Sequence, residues 1–124
     1  MINRTMIPSF LLAKLYVKGS LKNTDSGFKF ALKNIIDSTI LIGMGPIRVG
    51  DKSYAGTDIT ITAEDKTVNG TKLTREKTLP VRIGVPIDVT VEGEPLVLGE
   101  QKVMVEATTF DIGKIKFDIK DEVA

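Results

Sequence analysis

Ionisable and metal-binding side chains are where chemistry would begin, and this sequence carries a restricted set. Among 124 residues there is no histidine and no cysteine. That excludes Cys or Cys/His zinc sites, thiol catalysis, Ser-His or Cys-His relays and histidine acid–base chemistry. Oxygen-only Mg²⁺ or Ca²⁺ sites, carboxylate pairs and lysine chemistry survive this filter. The carboxylates cluster as Glu64-Asp65 and as Asp118, Asp121 and Glu122. Glycosidase chemistry needs two carboxyl groups roughly 5–10 Å apart across a sugar. Adjacent carboxylates on one strand point to opposite faces, so solvated loop and strand-end charges describe these clusters better. The chain has no Trp and only two tyrosines, Tyr16 and Tyr54, which weakens any sugar-stacking reading.

Asn23-Thr24-Asp25-Ser26-Gly27 is rich in oxygen ligands, yet it holds one carboxylate where a calcium loop needs a ladder of them. A five-residue hairpin loop with Gly27 in the left-handed position explains every residue of it. "GMGP" (residues 43–46) lacks the Gly-x-Gly-x-x-Gly spacing and the strand-to-helix setting of a dinucleotide site. "GEPLVLGE" (residues 93–100) lacks the Lys-Ser/Thr ending of a phosphate loop. These residues give no catalytic, cofactor-binding or metal assignment. One surface stands out. In a hairpin that pairs Leu21 with Phe28, Lys14, Lys18, Lys22, Lys29 and Lys33 all point away from the apolar face and Lys33 faces Tyr16. That face would suit an anionic ligand or an acidic partner; it would equally serve as a solvated surface whose lysines discourage edge-to-edge aggregation.

The elements that must position these residues are strands. Period-two alternation places Leu11, Ala13, Leu15, Val17 and Leu21 on one face and Phe28, Phe30 and Leu32 on the matching face beyond the loop. Ile40–Ile42 reads as a short apolar strand, "IRVGDKSY" (residues 47–54) as a hairpin around Gly50-Asp51, and Asn69-Gly70 as a type I′ turn. "VRIGVPIDVTV" (residues 81–91) reads as one long strand with an edge position or bulge at Pro86. Val103, Val105 and Ala107, then Ile115, Phe117 and Ile119 after a turn near Gly113, give the last pair. No window sustains helical apolar spacing, so at most one short helix is expected. The prediction is a single all-β domain over residues 11–124. It is an antiparallel β-sandwich, jelly-roll or immunoglobulin-like, of about eight or nine strands, preceded by a flexible segment over residues 1–10.

Composition agrees. Hydrophobic residues at 42% and charged residues at 27% describe a globular protein. Seventeen Lys and Arg against sixteen Asp and Glu leave +1, which argues against nucleic-acid binding, a process driven by phosphate neutralisation. Lys14 interrupts the apolar run from Met6 to Ala13, well short of the ~20 residues of a membrane span. The expectation is a cytoplasmic protein with neither a membrane nor a nucleic-acid partner, and a composition that would suit a thermophile.

Three stretches together resemble a known group: "YVKGSLKNTDSGFKFALKN" (residues 16–34), the run from Val91 to Val103 with the pattern V-x-G-x-P-L-x-x-G-E-x-K-V, and "GKIKFDIKDE" (residues 113–122). They are similar to small archaeal β-sandwich proteins sometimes labelled hydroxymethylglutaryl-CoA reductase. The layout is also similar to the small β subunit of C-glycoside deglycosidases, which packs against a larger barrel subunit. The resemblance carries no catalytic residue onto this sequence. A hydroxymethylglutaryl-CoA reductase needs a dinucleotide-binding region, a catalytic histidine and several hundred residues, so the label is expected to be a misannotation or to refer to an association. The resulting expectation is a non-catalytic accessory or interaction module, needing no cofactor, that forms a homo-oligomer or joins a larger subunit. The alternative is a small enzyme, or enzyme subunit, acting on a sugar-like or anionic metabolite, with Asp118 and Glu64 as the residues to test.

Overall fold

The computed structural model describes residues 7–124. The first six residues of the expected flexible segment lie outside the described residues. Ser9–Leu12 form one turn of α-helix, α1, which continues as a 3₁₀ turn over Ala13–Leu15. Pro8 precedes the helix, and its carbonyl accepts from the N–H groups of Leu11 and Leu12. Its fixed φ suits that position. The strand expected over Leu11–Leu21 is therefore mostly absent. Leu12 is buried while Leu11 and Val17 are exposed, the reverse of the alternation read from the sequence. Leu12 and Leu15 are three residues apart, a spacing that a helix places on one face, and period-two alternation happened to overlay it.

Ten strands follow, in two antiparallel sheets. The first sheet holds β1 (Lys22–Thr24), β2 (Gly27–Lys33), β8 (Pro86–Glu92), β5 (Ile59–Ala63) and β6 (Lys66–Asn69), in the order β1-β2-β8-β5-β6. The second runs β10 (Gly113–Val123), β9 (Gly99–Thr109), β3 (Thr39–Val49), β4 (Lys52–Tyr54), with β7 (Leu79–Val81) also pairing with β3. Facing side chains fill the space between them: Phe28, Phe30, Ile61, Val89 and Val91 from one sheet, Ile47, Val103, Val105, Phe117 and Ile119 from the other, all nearly inaccessible to water. Each such side chain contributes about 1.5–3 kcal/mol by leaving water. The all-β sandwich read from the alternation is the observed fold, and the one short α-helix agrees with the limit of one.

Four local expectations are corrected. The eleven-residue strand over residues 81–91 is two strands in different sheets. Gly84, at φ +87, and the N–H of Val85 bonded to the carbonyl of Arg82 turn the chain between them, which leaves Ile83 55% exposed. That split accounts for one strand beyond the expected eight or nine. Ile40–Ile42 is part of an eleven-residue β3 that runs through "GMGP", with register shifts against β9 on both sides of Met44. The β5–β6 hairpin turns at Glu64-Asp65, with Glu64 at φ +57, and Asn69-Gly70 closes no hairpin. The Asn69 side-chain Oδ1 instead caps a 3₁₀ turn by accepting from the N–H of Thr71, and Gly70 packs on Gly56 so closely that a Cβ would lie 2.7 Å from the Gly56 backbone carbonyl oxygen. In the first hairpin Thr24 pairs with Gly27, so the turn is only Asp25-Ser26. Gly27 is needed for close approach rather than for a left-handed turn: a Cβ there would lie 1.9 Å from the Val91 carbonyl oxygen. The Gly50-Asp51 hairpin forms as read, with Gly50 at φ +63.

Candidate functional site

The predicted lysine face is divided by the structure. Phe28 pairs with Asn23 rather than Leu21, and Tyr16 bridges Leu32 rather than facing Lys33. A turn over Val17–Ser20, closed by the Ser20 N–H on the Val17 carbonyl, absorbs the difference in register. Lys22 and Lys29 stand directly opposite one another, with Lys33 further along β2, all exposed on the outer side of the first sheet. Lys14 lies on the 3₁₀ turn and Lys18 on the Val17–Ser20 turn. Lys22 and Lys29 border an open depression of about 490 Å³ whose floor is Ser20, Ala31, Thr62 and Thr90, with Asp88 also in its lining.

Tyr16 leaves this face altogether. Its hydroxyl donates to Asp121 Oδ2 at 2.7 Å and accepts from the Leu21 N–H at 2.9 Å; the Gly19 N–H donates to the same carboxylate oxygen at 2.7 Å. Asp121 thus ties the N-terminal segment to the last strand. The Tyr16 hydroxyl, with the Gly19 and Glu122 amides, holds the Asp121 carboxyl below its ordinary pKa. Burial and the neighbouring carboxylate push the Tyr16 phenol up.

The other carboxylate candidates do not converge. Glu64 sits on the β5–β6 turn and pairs with Arg82, whereas Asp118, on the second sheet, lies 3.6 Å from Lys102. Among the described residues no group of three or more Asp or Glu is placed to hold a metal ion. Glu94, expected only as part of a phosphate-loop look-alike, forms an ion pair with Lys52, and that lysine lowers its pKa. Asn23, from the loop first considered as a ligand site, grips the β8–β9 connection instead: its amide donates to the Leu96 carbonyl at 3.0 Å and its oxygen accepts from the Leu96 N–H at 2.8 Å.

A concave feature that sequence reasoning missed lies at the end of the sandwich where β2 meets β3 and β9 meets β10. A groove of about 590 Å³ runs between the N-terminal helical turns, the residue 34–38 loop and the β9–β10 turn, with Leu12, Leu15, Ile36, Ile112 and Ile115 as apolar lining and Asp37 and Asp111 on its wall. Behind it an internal cavity of about 70 Å³ shares Leu15, Asn34, Thr39, Thr109 and Ile115. Two buried polar residues fix the walls. Asn34 donates to the carbonyls of Asp37 and Val81 and accepts from the N–H groups of Ile36 and Asp37. Thr109 Oγ1 donates to the Gly113 carbonyl and accepts from the Ile112 N–H. Around the same end Ile35, Ile40, Ile83 and Phe110 are each more than a third exposed, and Arg75 stacks over Phe110 at 5.4 Å. The sequence signal for this was slight: Ile35, Ile36 and Ile112 fall outside the alternating rows, where periodicity counts them as noise, whereas Ile83 and Ile115 were read as members of strands.

Fold and surface together define a ten-stranded β-sandwich whose described residues form no metal-holding carboxylate cluster, with exposed apolar side chains both beside the groove, at Ile40 and Phe110, and on the β8–β9 connection, at Val97 and Leu98. The chain belongs to the family described as hydroxymethylglutaryl-CoA reductase, N-terminal domain, which matches residues 11–124. The likeness to reductase-labelled proteins read from the sequence thus stands as family membership, and the likeness to the C-glycoside deglycosidase subunit is not shown. Among curated proteins nothing matches the chain. Among the described residues no helix is long and apolar enough to cross a membrane.

Proposed function

We propose that this chain is a non-catalytic cytoplasmic module that docks onto a larger subunit, and that the reductase in the family's description is the activity it accompanies rather than one it performs. The observation that carries this reading is that Ile40 and Phe110 are exposed in one shallow depression, beside the hydrogen-bonded loops that carry the exposed Ile35 and Ile83. Large apolar side chains grouped on a surface mark interaction sites, and Phe110 with Arg75 above it supplies the aromatic and arginine pair that interface centres favour. The chemistry fits: the sequence has no histidine or cysteine to serve as general acid or thiol nucleophile, and the carboxylates singled out from the sequence, Glu64 and Asp118, lie on different sheets.

The experiment mixes the chain with the catalytic region of a hydroxymethylglutaryl-CoA reductase from the same source. It measures mass by light scattering and dinucleotide-dependent reduction of hydroxymethylglutaryl-CoA. The expected result is no turnover by the chain alone and a complex that Phe110→Asp and Ile40→Asp each weaken at least tenfold. Turnover by the isolated chain, or a monomer indifferent to both the catalytic region and copies of itself, overturns the reading.

A further inference from the structure

We propose that the groove between the N-terminal helical turns and the β9–β10 turn is a small-molecule site for an aliphatic organic cation. Its body would lie along Leu12, Leu15, Ile36, Ile112 and Ile115, and its ammonium-type head against Asp37 and Asp111. Size is the first argument. At about 590 Å³ the groove falls in the range of roughly 300–1,000 Å³ that organic ligands occupy, and it has the mostly apolar lining with a few polar groups typical of such sites.

Charge is the second. No lining residue of the groove is basic, and neither Asp37 nor Asp111 forms an ion pair among the described residues. Only Glu64, Glu94, Glu106 and Asp118 among the described carboxylates have a Lys or Arg, so what sets Asp37 and Asp111 apart is their place beside the apolar groove. Asp111 Oδ1 accepts from the Thr39 hydroxyl at 3.0 Å and Asp37 Oδ1 from the Ser38 N–H at 2.8 Å, so each carboxylate is oriented with acceptor capacity left over. An anionic ligand would meet two like charges beside an apolar wall of low dielectric. A cation would complete both carboxylates.

Shape is the third. The groove adjoins the internal cavity of about 70 Å³, less than half of the roughly 150 Å³ that admits benzene in an engineered core. It has room for the narrow end of an alkyl chain and none for a ring. Asn34 and Thr109 brace both walls from within, so the site is formed before a ligand arrives. The groove's lining excludes Ile35, Ile40, Ile83 and Phe110, although Ser38, Thr39 and Asp111 also line the depression that holds Ile40 and Phe110, so the test below reads ligand binding by the chain alone.

The test uses the full ¹⁵N-labelled chain titrated with octylammonium, octanol and octanoate below their aggregation limits, followed by amide shifts. Octylammonium is expected to shift Ile36, Asp111 and Ile112 and to bind at least tenfold more tightly than octanoate. In the D37N/D111N double variant, whose two exposed carboxylates support no core contact, that preference is expected to fall below twofold while octanol binding is retained. Equal affinity for cation and anion, shifts centred elsewhere, absence of any binding, or binding that appears only after removal of residues 1–6 would each overturn the proposal; the last would assign the groove to the chain's own first residues.

Discussion

Replacing Tyr16 with Phe isolates the contact that fastens the N-terminal segment to the sandwich. The phenyl ring keeps its packing, and only the hydroxyl is lost. That hydroxyl donates to Asp121 Oδ2 at 2.7 Å and accepts from the Leu21 N–H at 2.9 Å. A hydrogen bond to a charged group contributes about 1.5–3 kcal/mol and a neutral one about 1 kcal/mol. Asp121 is half-buried, so water can replace part of the first, and the net loss comes to about 2 kcal/mol. The pH dependence has a definite sign. Asp121 has its carboxyl pKa lowered in the folded chain, chiefly by Tyr16, so the stability it adds is present above the unfolded carboxylate value near 4. It is lost as pH falls through the lower folded value. Urea unfolding at pH 7 should therefore show a deficit of about 2 kcal/mol for Y16F, shrinking in acid as the charged acceptor is neutralised. A deficit below about 0.5 kcal/mol at pH 7, or one undiminished in acid, refutes the reasoning.

Three further substitutions probe the frame. Asn23→Ala removes both hydrogen bonds to Leu96, so a loss of about 2–3 kcal/mol is expected, with faster hydrogen exchange confined to the β8–β9 connection that carries the exposed Val97 and Leu98. Gly27→Ala drives a Cβ into the Val91 carbonyl, and calorimetry should show a loss of about 3 kcal/mol or more, as expected for overpacking against backbone that cannot yield. Lys29→Glu turns a facing pair of like charges with Lys22 into an opposite pair, so a gain of about 0.5 kcal/mol at low ionic strength is expected, vanishing in 1 M salt.

The sandwich was legible because half-buried antiparallel strands write their burial into every second residue. β9 and β10 alternate over their inner stretches as the sequence did, from Val103 to Ala107 and from Ile115 to Ile119. Alternation does not report which sheet a strand joins. In the stretch over residues 81–91 the apolar row continues unbroken through Ile83 and Val85, although the chain is leaving one sheet for the other. The true marks were Gly84, which supplies the positive φ, and Pro86, which opens the new strand. The same blindness made Leu11–Leu21 look like a strand, because a single helical turn is too short for its period to be told from two.

The groove was illegible for a related reason. Its lining comes from four separate stretches, around Leu12, Asn34–Thr39, Thr109–Ile112 and Ile115, which meet only because β2 and β9 end at the same pole of the sandwich. No spacing within any one of them marks a site, and Asp37 and Asp111 sit in different loops 74 positions apart in the numbering. The register read for the lysine face failed in the opposite direction. The lysines are close in sequence and share a parity within each arm of the hairpin, but a turn of four residues at Val17–Ser20 puts Lys14 and Lys18 out of register with Lys22, Lys29 and Lys33. A surface patch inferred from parity holds only as far as the register does, whereas a site built from loop ends depends on the topology alone. In this family the places to probe are accordingly the ends of the strands, where the isoleucines that fit no alternating row are collected.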